Sequence, residues 1–156
     1  MTDYFILKFL HIIGSTMLIG TGAGIAFFML MAHRTGEAAT VAAVARIVVI
    51  ADWLFTATAV LVQPITGALL AWETGYSLFD GWIAVSLILY FVIGAFWLPV
   101  VWMQKRMRDL ARAAAAAGAP LPPTYHRLYR WWFAFGFPAF GAILAIVWLM
   151  ITKPAF

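Results

Sequence analysis

The feature that most restricts this chain is the recurrence of long apolar runs. Residues 4–31, 47–72, 82–103 and 131–151 form four stretches that are almost free of charge. A hydrocarbon core about 30 Å thick is crossed by about 20 such residues in a helix. With no water to bond, backbone polar groups there must be satisfied within their own segment. The runs therefore predict an all-α polytopic membrane protein, a four-transmembrane-helix bundle forming a single domain over residues 1–156. Composition agrees, with 65% hydrophobic and 10% charged residues against about 25% charged in soluble domains. The first run is far longer than the core of a signal peptide and follows no basic segment, so it is expected to remain as a span. Tyr4, Trp72, Trp82, Trp102, Trp131, Trp132 and Trp148 lie near the ends of runs, where interfacial anchors belong.

The few charges orient the bundle. With four spans, both termini and the segment 73–81 share one side, which carries only Lys8 and Lys153 among the lysines and arginines. The other side carries Arg34, Arg46, Lys105, Arg106, Arg108, Arg112, Arg127 and Arg130. The positive-inside rule places that basic side in the cytoplasm and the termini outside, in the inner membrane of a bacterium. These cations read as topology signals in contact with the lipid bilayer, not as a nucleic-acid surface. The long connection 104–130 is expected to begin as a helical extension of the third span through its alanine run, to stop at Gly118, and to be kept from resuming by Pro120, Pro122 and Pro123.

Packing in lipid depends on small residues and shape. Thr16, Gly20 and Gly24 repeat at four-residue spacing and include a GxxxG match, a face suited to internal packing or to a homodimer through Gly20 and Gly24. Gly67 and Ala71 repeat that spacing in the second span, and Gly94 and Gly141 offer single close contacts. Pro64 and Pro138 lie inside spans, where each removes a helical donor and frees a carbonyl.

Chemistry has few residues to draw on. The absence of cysteine removes disulfides, thiolate metal sites and cysteine nucleophiles. Lys8 is close enough to the outer boundary to snorkel, and Asp52 sits about one turn inside the cytoplasmic end of the second span. His11 is deeper. Counting along each helix puts His11 about 10 Å, Tyr90 about 12 Å and Gln63 about 14 Å below the outer boundary, with Thr66 and Ser86 nearby. Such a layer suits a ligand or cofactor, since imidazole can bind iron or copper while its second nitrogen takes a partner; it equally suits a core histidine that ties helices together by hydrogen bonds. His33 lies about 33 Å further along the same helix and His126 falls on the cytoplasmic side, so neither completes a metal site with His11. The acids Asp3, Glu37, Glu73, Asp80 and Asp109 lie in tails, loops or helix extensions, and Asp80 is placed to cap the third span.

The segments Lys8-Phe9-Leu10-His11-Ile12-Ile13-Gly14, Pro64-Ile65-Thr66-Gly67-Ala68-Leu69-Leu70-Ala71-Trp72-Glu73-Thr74-Gly75 and Trp148-Leu149-Met150-Ile151-Thr152-Lys153-Pro154 resemble domain-of-unknown-function family 2269, predicted integral membrane proteins, over essentially the whole chain. More distantly, Leu10-His11, His33, Leu70-Ala71-Trp72-Glu73, Gly81-Trp82 and Lys153-Pro154 are similar to HemJ-type protoporphyrinogen oxidases and the CopD-like four-helix membrane group. That similarity implies b-type haem with His11 as its ligand. The sequence departs from the HemJ pattern at Ala84 and Ser86, where a histidine and a lysine are expected, and at Phe135-Gly136-Phe137, where an Asn-Glu pair is expected. Three functions follow as expectations. They are a ligand-binding or accessory bundle with His11, Gln63 and Tyr90 at its site and haem b as a candidate group; a HemJ-like oxidoreductase using haem and quinone; and a structural or small-transporter subunit acting as a homo-oligomer.

Overall fold

The computed structural model describes residues 2–155. The chain runs as α1 (Thr2–Thr35), α2 (Ala38–Ala51), a π-helical turn (Asp52–Thr56), α3 (Ala57–Glu73), α4 (Gly81–Ala116) and α5 (Pro123–Thr152). Because α2, the π turn and α3 are continuous, four helical rods are long and apolar enough to cross a membrane, and the fold is all-α. The 34 residues of α1 and the 36 of α4 reach about 50 Å at 1.5 Å per residue, well beyond a hydrocarbon core. The excess lies at the end of the bundle that carries most of the lysines and arginines, the basic end; the opposite end holds both chain termini.

The connections are shorter than the sequence suggests. α4 does continue through the alanine run, and it stops as expected: Gly118 takes φ +60°, its N–H bonds to the Ala115 carbonyl and that of Ala119 to the Ala114 carbonyl. This paired closure needs a left-handed residue, which glycine supplies without a Cβ clash. The prolines, however, do not keep the helix from resuming. α5 begins at Pro123, a first-turn position where a missing N–H costs nothing and a fixed φ favours the helix. The connection shrinks to residues 117–122, and Tyr125 and Tyr129 become helical. Similarly, the second rod starts at Ala38, directly after the turn at Gly36 and Glu37.

The main core lies at the basic end, where α1, α2, α4 and α5 meet. Met29, Val41, Ala45, Met107, Ala111 and Tyr125 are fully or almost fully buried there. At the termini end a small cluster of Ala71, Trp82 and Ile83 is backed by Leu87, Leu149 and Met150. Lys153 closes that end, its ammonium 5.1 Å from the centre of the Tyr76 ring and 5.6 Å from that of Trp82, a cation–π arrangement.

Several expectations change. Trp72, Trp102, Trp131 and Trp148 face outward as interfacial anchors should, but Trp82 and Trp132 are buried. The stripe of Gly20 and Gly24 is not an internal packing face: a Cβ at Gly20 would meet nothing within 4 Å, and one at Gly24 only Phe28 of its own helix. Pro99 in α4 adds a third intrahelical proline to Pro64 and Pro138. Asp80 is the N-cap residue of α4 by position, yet its carboxylate makes no cap bond and accepts the Ser77 N–H at 3.0 Å instead.

Candidate functional site

In the termini half, α1 and α3 approach through two glycines used reciprocally. The His11 ring of α1 lies over Gly67 of α3, where an added Cβ would sit 3.2 Å from His11 Cε1. Gln63 of α3 lies over Gly14 of α1, where an added Cβ would sit 3.3 Å from Gln63 Cδ. A methyl group on either glycine would crowd the side chain lying over it, so both polar side chains use the space left by a missing Cβ.

The hydrogen bonds around Thr66 favour one tautomer of the imidazole. Thr66 Oγ1 donates to the Val62 carbonyl at 2.9 Å, with the Gln63 carbonyl at 3.2 Å, and so its single proton is committed. With its proton on a carbonyl, the hydroxyl accepts from His11 Nδ1, 2.9 Å away. In the tautomer that this bond selects, Nδ1 carries the proton and Nε2 the lone pair, and no hydrogen bond to Nε2 occurs among the described residues. That is the arrangement of a ligating histidine, with one nitrogen held by an oxygen acceptor and the other free for a metal or a ligand's donor. In the same seam, Gln63 Oε1 is buried without a hydrogen-bond partner, a costly state for an amide oxygen.

Tyr90, on α4, has a different task. Pro64 lacks the N–H that would bond to the Val60 carbonyl four residues earlier, and the Tyr90 hydroxyl donates to that carbonyl. Tyr90 thus ties α4 to the proline turn of α3. Ser86 donates to the Trp82 carbonyl of its own helix. His11, Gln63 and Thr66 meet in the α1–α3 seam, while Tyr90 is engaged one turn away.

A second polar cluster lies toward the basic end. Asp52 opens the π turn and is 4% exposed. Trp97 Nε1 of α4 donates to its Oδ1 at 3.3 Å. With the Gln104 amide oriented to satisfy its neighbours, the Gln104 NH₂ donates to Asp52 Oδ2 at 3.1 Å and its oxygen accepts from Trp132 Nε1 at 3.3 Å. Thr56 adjoins the carboxyl, yet its hydroxyl is buried without a partner. The sequence does mark Asp52 as an acid inside an apolar run, but its partners lie on two other helices and no local spacing reveals them.

Beyond the spans, His33 stacks on Tyr129 with ring centres 3.6 Å apart and planes 8° from parallel, and its Nδ1 lies 3.3 Å from the Tyr125 hydroxyl. Burial, and then the neighbouring His126, hold His33 below the ordinary histidine value. Burial pushes the Tyr125 and Tyr129 hydroxyls up, so both stay neutral. His33 and His126 are near one another, and, as helix rise predicts, His33 is remote from His11, 22 residues away on α1. No cluster of three or more His, Asp or Glu residues able to hold a metal ion occurs among the described residues.

Residues 5–154 match the family described as predicted integral membrane protein, DUF2269. No curated protein and no solved structure matches the chain.

Proposed function

Since the chain belongs to the DUF2269 family of predicted integral membrane proteins, we propose that it is a binding bundle whose α1–α3 seam holds a small lipophilic ligand through His11, in a bacterial inner membrane with its basic end in the cytoplasm. One observation carries this reading: with Nδ1 bonded to Thr66, His11 Nε2 has no hydrogen-bond partner among the described residues, in the same seam as the unpaired oxygen of Gln63. A histidine serving only to tie helices has no need of a free second nitrogen in a segment where unpaired polar groups are costly. Haem b is the candidate group, with His11 as the residue that would hold the iron and Gln63 as the polar group in the same seam; Tyr90, held on the Val60 carbonyl, stands one turn away. Bound there, haem would supply one-electron chemistry. The orientation rests on eight basic residues at one end against two at the other.

The test is purification in mild detergent, with haemin added if no chromophore is present. A Soret band that is lost in His11→Ala and weakened in Thr66→Val supports the site; failure of the intact protein to bind haemin eliminates haem as its ligand. Porphyrinogen oxidation coupled to a quinone by the loaded protein would favour the HemJ-like oxidoreductase. The outward stripe of Gly20 and Gly24 favours a second reading, a homo-oligomeric structural or transporter subunit. A dimer that dissociates in Gly20→Leu, with no chromophore bound, is its signature. Because the chain has no cysteine, single cysteines introduced at Ser77 and Ala117 and labelled in intact cells with an impermeant maleimide test the orientation: Ser77 should label and Ala117 should not.

A further inference from the structure

Asp52 stands apart from the His11 seam and is not used by it. It lies six residues beyond Arg46, about 9 Å deeper along the rod, and the core closes around it to 4% exposure. A carboxylate buried in a membrane helix needs a cation or a proton, because ionic desolvation costs far more than neutral hydrogen bonds return. No cation is paired with it: among the described residues the one ion pair is Arg108 with Asp109. The charged neighbours along the packed helices, Arg46, Lys105, Arg106 and Arg130, are all exposed at the basic end. The groups that do face Asp52 are neutral, namely Trp97, Gln104 and Thr56.

We propose that Asp52 is an intramembrane proton-binding site, filled from the basic end of the bundle past Gln104. The two N–H donors, from Trp97 and Gln104, hold the carboxylate when the proton is away. The Thr56 hydroxyl, buried beside the carboxyl with no other partner, can donate to the carboxylate when the proton is away and rotate to accept the acid's O–H when the proton is present. A π turn begins at Asp52 and ends at Thr56. Such turns shift the helical hydrogen-bond register by one residue and recur at functional sites; here the turn brings acid and hydroxyl to the same side. The step is simple in its balance: hydronium gives one proton to a carboxylate oxygen and leaves as water, and release is the reverse. Gln104 directly precedes Lys105, so the amide stands between the interface and the acid and is the natural point of proton access.

Infrared difference spectroscopy of the full chain in detergent, titrated with pH, tests this directly. The expected result is a carbonyl stretch of a protonated carboxylic acid that shifts in D₂O, disappears reversibly on raising the pH, and is absent in Asp52→Asn. Trp97→Phe removes a donor that favours the anion, and its band should persist to higher pH than in the unaltered protein. Asp52→Asn mimics the protonated acid in shape and charge, so it should fold and lack only the titration. Three outcomes would overturn the proposal: a carboxylate ionised across the whole range, a carbonyl band that survives Asp52→Asn, or a spectrum that responds to sodium and not to pH. The last would indicate a metal-cation site instead.

Discussion

Gly67 carries a hydrogen where any other residue carries at least a methyl group, and the His11 ring occupies the space. The substitution Gly67→Ala would put a carbon 3.2 Å from His11 Cε1, and the neighbour at that point is a ring fixed by the Thr66 bond, not a flexible chain end. Overpacking of this kind costs about 1 to 3 kcal/mol. Gly67→Ala should therefore lower unfolding stability by that amount in a detergent titration, and it should do so less in a His11→Ala background. The sequence showed His11, Gln63 and Thr66 at a common depth because helix rise alone sets depth. It could not show that Gly14 and Gly67 seat them, since that depends on the rotation of α1 against α3. Gly20 and Gly24 had the more conspicuous spacing and proved to face outward. At the other end, His33 makes a pH-dependent contribution. Its folded value lies below 6.5, so the native state binds fewer protons than the unfolded chain in the window between the two values. Stability is then fully present above about 6.5 and is lost as pH falls toward the folded value. Thermal unfolding between neutral and mildly acidic pH should show this slope, and His33→Phe, which keeps the stack on Tyr129 without a titrating group, should flatten it.

The rods illustrate how a break in one helix becomes a contact with another. Pro64 withdraws one donor from α3, and the freed Val60 carbonyl is met by Tyr90 from α4. In lipid no water stands in for a lost partner, so Tyr90→Phe should cost about 1 to 3 kcal/mol, the range for an orphaned buried polar group. Pro64→Ala restores the backbone N–H. In that background Tyr90→Phe should cost less than half as much, and a double-mutant cycle followed by unfolding would yield a coupling energy of the same sign and order. If Tyr90→Phe costs the same in both backgrounds, the tyrosine acts by packing and not by satisfying the carbonyl. Proline inside a span is visible in the sequence, as is the carbonyl it frees. The partner is not, because which side chain of α4 reaches Val60 follows from the crossing of two rods. The same reasoning explains the connection at 117–122. Alanine propensity and Gly118 fixed where α4 ends, but a run of prolines reads equally as a barrier or as the first turn of a new helix, and only Pro123 at the start of α5 resolves it.

Taken whole, the bundle is firmly packed at one end and more open at the other. The basic end brings four helices around Met29 and Met107, both without measurable exposure, whereas the termini end relies on a small cluster around Trp82, the Lys153 contact and the α1–α3 seam. That division is what the proposed ligand site in the α1–α3 seam requires, since binding regions are drawn from the less stable parts of a structure. It also makes stability unequal along the membrane normal. Truncating a buried methionine to alanine costs about 2 to 5 kcal/mol in a water-soluble core, through lost transfer energy and a residual cavity. In lipid the transfer part is small, because the unfolded helix remains in hydrocarbon, and what is left is packing. Met107→Ala should therefore cost about 2 kcal/mol, near the lower limit of that range. Leu87→Ala, which removes a partly buried side chain at the termini end, should cost less than half of that, because lipid chains can fill the space it leaves. Unfolding of the two variants in lipid bicelles measures the difference, and equal losses would mean that the termini end is packed as tightly as the basic end, leaving the His11 seam no more open to a ligand than the methionine core.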